Sequence, residues 1–351
     1  MEATVTALPI YDALGRIESE LAAFWAAPDE QSGQPMTKVR SSTLSYAILT
    51  SQNELERARE ASEAIADSHP GRAFVLTVDG RLAPWELKHD LRMACRLDGG
   101  EQPICHDWIE LTFGTVASER AGSILRTLAL SEVPVIVEVG RGASRALIAA
   151  AVPHADRLIV DSAHTPVTRL AEIAAQVKCP IGDRQFVRTY SWRELTARFF
   201  DDALGALDQI HKVTIGRTPG GTTEPAAIFL GWLGARLGWA FDSRSEARTR
   251  TGQTVTIVLQ DEPTEGLGAG ELTDVWIETT LDGAPMSAAC NRRREHPGQV
   301  CWTRSGARTS GHEHALGRRG EDWVLIKAID GTEGDRMYRE ALTMAAAWSA
   351  R

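Results

Sequence analysis

Between residues 43 and 161 the chain alternates short β-branched, apolar runs with longer amphipathic stretches, and nothing else in it restricts the fold as tightly. TLSYAILT (43–50), RAFVLTV (72–78), DWIELTFG (107–114), VPVIVEV (133–139) and RLIVD (157–161) have the length and residue types of strands. A helix is expected over 10–27, followed by a polar linker, PDEQSGQP. Ser51 with Glu54 forms a capping box for a helix running to Asp67, and Thr165 caps another with Pro166 at its first position. Strands that alternate with helices of this size pair in parallel and are covered on both faces.

The second half changes pattern. The apolar positions Trp192, Leu195, Phe199, Ala203, Leu207 and Ile210 mark one helix face, with Ser191 and Glu194 as its capping box. KVTIG, a Gly-rich loop and the apolar helix PAAIFLGWLGARLGW follow. Then TVTIVLQ, ELTDVWIETTLDG, APMSAACNRR, QVCWTR and DWVLIKAI read as consecutive strands, and short gaps between them mean hairpins. A closing helix starts at Thr332. The expected fold class is an α/β N-terminal domain with a mostly parallel, Rossmann-like sheet, plus an α+β C-terminal domain with a mainly antiparallel sheet. The expected domains are 1–37 (helix and linker), 38–182 (α/β) and 183–351 (α+β).

Composition excludes several function classes. The 351 residues carry 38 basic and 47 acidic groups, a net charge of −9, so a general nucleic-acid or anionic-membrane binder is not expected. Only the stretch 151–250 is positive, with 13 basic and 11 acidic residues. No apolar run approaches the ~20 residues needed to span a bilayer, and the N-terminus lacks signal-peptide character, so a cytoplasmic protein is expected. Five cysteines without a CxxC pair indicate neither a disulfide framework nor a standard zinc site.

Four clusters are candidates for chemistry. RTPGGTTEP (217–225) lies between a strand and a helix N-terminus, where Arg217, Gly220, Gly221, Thr222 and Thr223 could cradle a phosphate or simply form a flexible connection. It has neither the P-loop nor the dinucleotide glycine pattern. Cys290, Cys301, His312 and His314 match no compact zinc module, and His312-Glu313-His314 reads as a polar turn. Arg292-Arg293-Arg294 is a hairpin tip or an anion reader. Cys95 and Cys105 flank an acidic turn and could face each other across a hairpin. Trp25 and Trp85 lie in polar segments and could anchor an interface. No nucleophile–base constellation is present, and neither a cofactor nor a metal is expected.

Four stretches, ADRLIVDSAHTPVTRLAEIAA, GDRQFVRTYSWRELTARFFDD, AAIFLGWLGARLGW and DRMYREALTMAA, occur in an order that resembles the OpcA family, the glucose-6-phosphate dehydrogenase assembly proteins. The central motif appears as Asp183, Phe186, Arg188, Trp192 and Arg193, with Phe186 where the family pattern has Trp. The earlier VRSSTLSYAILT is similar to the family's first strand. The resemblance implies a non-catalytic partner of glucose-6-phosphate dehydrogenase that promotes its assembly and activity. It points to Asp183, Arg188, Trp192 and Arg193 as partner-binding residues. Their local alternative is structural, with Trp192 in the core and Arg188 paired with Asp183 to brace the domain junction. The functional alternative is a sugar-phosphate or nucleotide-binding enzyme or sensor that uses the 217–225 loop.

Overall fold

The computed structural model describes residues 9–26, 39–40, 42–97, 103–293, 296, 298–306, 309–316, 319–331 and 335–351. The linker PDEQSGQP, the turn at 98–102, Arg294 and Thr332 lie outside the described residues. The chain divides into two units, Met1–Val160 and Asp161–Arg351.

The first unit holds α1 (Pro9–Ala26), β1 (Val39–Arg40), β2 (Leu44–Leu49), α2 (Leu55–Ser68), β3 (Gly71–Val78), β4 (Leu87–Leu97), β5 (Pro103–Phe113), α3 (Ala121–Leu128), β6 (Val135–Val139), α4 (Arg145–Ala151) and β7 (Arg157–Val160). Its strands run β1-β5-β3-β2-β6-β7, all parallel, with β4 added antiparallel to β5. Every residue of β2 and β6 is buried, as a strand covered on both faces requires. The expected Rossmann-like plan is what forms. Cys95 and Cys105 are register partners in the β4/β5 ladder. Trp25 is half-buried and donates its indole N–H to Asp107 at 2.8 Å, while Trp85 stays exposed.

The second unit holds α5 (Val167–Gln176), β8 (Ile181–Asp183), α6 (Arg184–Arg188), α7 (Tyr190–Arg198), β9 (Lys212–Arg217), α8 (Glu224–Leu237), β10 (Ala240–Phe241), β11 (Glu246–Arg248), β12 (Thr254–Asp261), β13 (Leu272–Leu281), β14 (Ala284–Arg292), β15 (Gln299–Ser305), β16 (Ser310–Ala315), α9 (Glu321–Asp330) and α10 (Asp335–Ser349). The sheet order is β10-β11-β12-β9-β13-β14-β15-β16. Its ladders are antiparallel except β9 with β12, joined through α8, β10 and β11. Val213, Ile215, Val255, Ile257, Val275 and Ile277 face inward and are at most 3% exposed. Each contributes about 1.5–3 kcal/mol by leaving water. Residues 161–182, expected with the first domain, belong to the second unit. Arg339 of α10 ties them there, donating to the carbonyls of Ala174 (2.8 Å) and Cys179 (2.7 Å).

Several local expectations are corrected. Ser51 makes no side-chain cap; a 3₁₀ turn at Gln52–Glu54 intervenes, closed by Glu54 N–H on the Ser51 carbonyl. Pro166, not Thr165, occupies the cap position of α5. The helix expected through Ile210 stops at Arg198, and a 3₁₀ stretch covers Leu204–Gln209. Ser191 lies inside α7, so it caps nothing. DWVLIKAI lies in helix α9, because an apolar run of this length suits a buried helix face as well as a strand. His312-Glu313-His314 lies in strand β16 at the sheet edge. Among the described residues, no helix is long and apolar enough to cross a membrane.

Candidate functional site

The motif residues at 183–193 gather in one network inside the second unit. Asp183 ends β8, 2% exposed, and caps α6. Its Oδ1 accepts from the backbone N–H groups of Gln185 (2.8 Å), Ser162 (3.1 Å) and Phe186 (3.4 Å). That is the local reason the chain turns into a helix there. Its Oδ2 has no partner among the described residues. Burial, with the charge of Asp161 added, pushes its carboxyl up to about 6.

Arg188 does not pair with Asp183, whose Oδ1 is taken by backbone N–H groups; Asp161 and Glu321 share it instead. Arg188 donates to both oxygens of Asp161, at 2.9 and 3.0 Å, the bidentate geometry that suits a guanidinium. It also donates to both oxygens of Glu321, and Arg184 donates to the same carboxylate at 2.8 Å. Burial works against ionisation of both carboxyls, but the adjacent Arg188 prevails and holds them below the usual range. The pair joins the loop after β7 to α6 and α9, elements more than a hundred residues apart.

Trp192 is 2% exposed, with the Arg292 guanidinium 5.4 Å from its ring centroid. Arg193 is buried and lies over Phe186, its Cζ 3.3 Å from the ring centre. Its burial lowers its pKa to about 9, against the pull of Asp183. Phe186 also meets Tyr338 edge-on at 5.5 Å, and burial with the charge of Asp183 pushes that phenol well up. Asp183, Arg188 and Arg193 are therefore placed together as an interior brace, with Arg188 the more exposed side chain of its pair with Asp161, while Trp192 is buried apart from them against Arg292.

A pH measurement isolates Asp183. Its folded pKa lies above that of an ordinary carboxyl, so the folded state binds this proton more tightly. The benefit is complete below the ordinary carboxylate range and is lost as pH rises through about 6. Asp183→Asn keeps the capping oxygen and removes the charge. Its unfolding free energy relative to wild type is expected to improve by roughly 2–3 kcal/mol from about pH 4 to about pH 7, read by urea melts. A difference that stays flat over that range would refute the buried charge.

The 217–225 loop is closed on itself. Arg217 donates to the carbonyls of Gly221 and Thr222, each at 3.1 Å, and pairs with Asp261 at 3.1 Å. A Cβ on Gly221 would lie 2.2 Å from the Gly270 nitrogen, so the glycine is needed for the approach of the 266–270 loop. Gly220 takes φ of 78°. Thr222 Oγ1 donates to the Ala163 carbonyl at 3.2 Å. Thr223 holds the α8 cap position without a side-chain bond, and Glu224 puts a negative charge in the first turn, where an anion would sit. Among the described residues, no group of three His, Cys, Asp or Glu could hold a metal. Cys290 is buried, its thiol pushed up to about 12. Arg293 pairs with Glu313 across the sheet edge.

The first unit has its own natural binding position, which the motif search passed over. The strand order reverses between β2 and β6, and in such sheets ligands enter beside the carboxyl ends of those strands. Here the two loops bond to each other instead. Thr50 Oγ1 and Ser51 N–H both donate to the Arg141 carbonyl, at 3.0 and 3.2 Å, and Gly140 N–H donates to the Leu49 carbonyl at 2.8 Å. The first loop, Thr50-Ser51-Gln52-Asn53, contains no glycine to admit a pyrophosphate.

Fold and site thus define a two-unit protein with a Rossmann-like first sheet, its switch-point loops bridged and the polar network of its second unit turned inward. Residues 62–175 match the family model for the glucose-6-phosphate dehydrogenase subunit N-terminal domain, and 179–342 match that for its C-terminal domain. The chain belongs to the OpcA family of glucose-6-phosphate dehydrogenase subunits. It is 33% identical over 144 residues to OpcA of Synechocystis sp., named for the OxPP cycle, and 31% identical over 149 residues to OpcA of Nostoc punctiforme. These matches cover 39% of this chain and only 30% and 31% of those relatives. Among solved structures it is similar to a 3-ketoreductase from Actinomadura kijaniata bound to NADP and TDP-benzene, with a TM-score of 0.47 and 13% identity, over 88% of this chain and 98% of that one. An oxidoreductase from Sinorhizobium meliloti gives a TM-score of 0.43 and 10% identity, over 89% and 97%.

Proposed function

We propose that this protein is a non-catalytic assembly factor and allosteric activator of glucose-6-phosphate dehydrogenase in the oxidative pentose phosphate pathway. The observation that carries the reading is the pair of family matches, which together run from residue 62 to residue 342 in the expected order. The bridged loops beside β2 and β6, and the absence of a nucleophile–base pair in the sequence, favour a binding role over a catalytic one. An activator must bind the active dehydrogenase better than the inactive form, since equal binding shifts nothing. Coupling is reciprocal, so substrate on the dehydrogenase tightens the complex.

Asp183, Arg188, Trp192 and Arg193 serve this role from within, by fixing α6, α7 and α9. The contact itself falls to exposed aromatics on the elements they hold, Tyr190 (59% exposed) and Trp323 (37%), residue types that anchor interfaces. The test is the initial rate of the same organism's dehydrogenase over a range of glucose 6-phosphate, with and without this protein. A lowered KM or raised kcat that saturates at a fixed ratio is expected. Equal rates, with no co-elution on size exclusion, would overturn the reading.

A further inference from the structure

The outer face of the second unit's sheet carries a cavity that the proposed function leaves unused. Strand alternation puts Val213, Ile215, Val275 and Ile277 inward, and Thr214, Gly216, Asp274 and Trp276 on the opposite face. The register aligns Gln260, Gly216, Asp274 and Asn291 across four neighbouring strands. The next row along places Thr214 beside Trp276 and Trp276 beside Ala289. A cavity of about 230 Å³ opens over this row, lined by Gly216 together with Thr214, Gln260, Asp274, Trp276 and Asn291. Gly216 lets the Thr273 and Asp274 side chains close in at the floor, where a Cβ would lie 2.6 Å from Thr273 Oγ1 and 2.7 Å from Asp274 Oδ2, and the β9/β13 ladder shifts register at this point.

The lining has a definite chemistry. Trp276 stands at one side, 43% exposed, a flat apolar platform. Around it the side chains mostly offer acceptors. Asp274 and Glu262 are carboxylates, and Gln260 donates its amide N–H to Glu262 at 2.6 Å, which leaves its oxygen to accept. Asn291 Oδ1 is buried in the lining with no partner among the described residues, and so is Thr273 Oγ1 beneath it. Orphaned buried polar atoms beside a cavity call for a polar occupant. Asp274, Glu262 and Arg292 each already have a partner, so the lining carries both signs and presents no bare charge to an ion of either sign.

The occupant must therefore be uncharged, supply several O–H donors at once, present an apolar face to an indole, and fit a shallow hollow of this size. We infer that the cavity is a binding site for a neutral cyclic polyol, a hexopyranose, stacked on Trp276 and hydrogen-bonded through its hydroxyls to Asp274 and Asn291.

The test uses the full chain and saturation-transfer NMR with D-glucose, D-galactose, D-mannose, the acyclic polyol sorbitol and the nucleoside uridine. A hexopyranose is expected to bind with a Kd of about 1–10 mM. Trp276→Ala and Asn291→Leu, checked for folding by circular dichroism, are each expected to weaken it about tenfold or more, a loss of about 1.4 kcal/mol. Trp85→Ala, an exposed tryptophan of the first unit, is expected to bind like wild type. No transfer from any hexose at about 20 mM would overturn the inference, as would binding that survives both variants. Binding of uridine or sorbitol without a hexose would do the same. Because the readout is binding to this chain alone, the result stands apart from the dehydrogenase assay.

Discussion

Arg188→Ala is expected to lower the unfolding free energy of the second unit by about 2–4 kcal/mol, read as a shift in the urea midpoint at unchanged slope. The substitution removes the one guanidinium that holds both oxygens of Asp161, a side chain only 13% exposed, and the same group holds Glu321. Removing one member of a buried pair costs about 3–5 kcal/mol where the other charge is left alone; here Arg184 stays 3.9 Å from Asp161 and 2.8 Å from Glu321 and keeps part of the compensation. Arg188 is about a fifth exposed and Glu321 about half, so solvent recovers part of the cost. Lysine is a poor replacement, because an ammonium cannot bond two oxygens of each carboxylate in a plane. The pair also sets an acid dependence. Asp161 and Glu321 have lowered pKa values, so their stabilisation is present above the ordinary carboxylate range and is lost as pH falls through the folded values. Arg188→Ala is expected to flatten that acid limb. A variant within about 0.5 kcal/mol of wild type would show that the network is not a brace. Any loss of dehydrogenase binding in this variant must accordingly be read at a temperature where it is folded.

This network shows where a single sequence stops being legible. The motif was visible as residue types at fixed spacing, and Asp183 before Arg184–Arg188 carried an N-cap signal. Its partners were not visible. Asp161 sits 27 residues before Arg188 and Glu321 lies 133 after it, and no local pattern announces a charge pair at such separations. Burial was equally hidden, since arginine and aspartate in a polar stretch look like surface. The resemblance therefore marked a set of residues whose local, structural reading matches their burial, Trp192 at 2% and Asp183 at 2% exposed. The Gly-rich loop shows the converse. Gly221 looked like an approach site for phosphate, and it is an approach site for the backbone at Gly270.

The fold was legible in proportion to burial. β2, β3 and β6 are buried almost throughout, so their sequences are continuous apolar runs of strand length. The strands that escaped notice lie at or near sheet margins. β4 adds antiparallel to β5 with Lys88, His89, Asp90 and Arg92 along it, and β16 is SGHEHA at the end of its sheet. Charged residues on edge strands discourage pairing with other chains, and they erase the pattern a reader relies on. The cavity under Trp276 was hidden for a different reason: it depends on Gly216, Asp274 and Asn291 becoming register partners, which only the assembled sheet decides.

Gly231→Val is expected to abolish folding of the second unit, a loss of more than about 4 kcal/mol, seen as a missing thermal transition or as insoluble protein. All residues of α8 from Pro225 to Gly234 are buried, so the helix has no free face on which to rotate away from a clash. A Cβ at 231 would lie 2.2 Å from the Ala341 carbonyl oxygen, 2.7 Å from the Ala345 nitrogen and 2.8 Å from the Ala345 Cβ. The first two are backbone atoms of α10, and a helix backbone cannot step aside as a side-chain tip can. The two helices must separate, and α10 would lift with the buried Tyr338, Leu342 and Trp348 it carries. Even Gly231→Ala is expected to destabilise by about 2 kcal/mol, although alanine in a helix ordinarily gains about 1 kcal/mol over glycine. Gly15 in α1 supplies the internal contrast. Nothing lies within 4 Å of its Cβ position, so Gly15→Ala is expected to follow the ordinary rule and stabilise by about 0.5–1 kcal/mol. If the two alanine variants shift the melting temperature in the same direction, the close crossing of α8 and α10 is not what holds the second unit together.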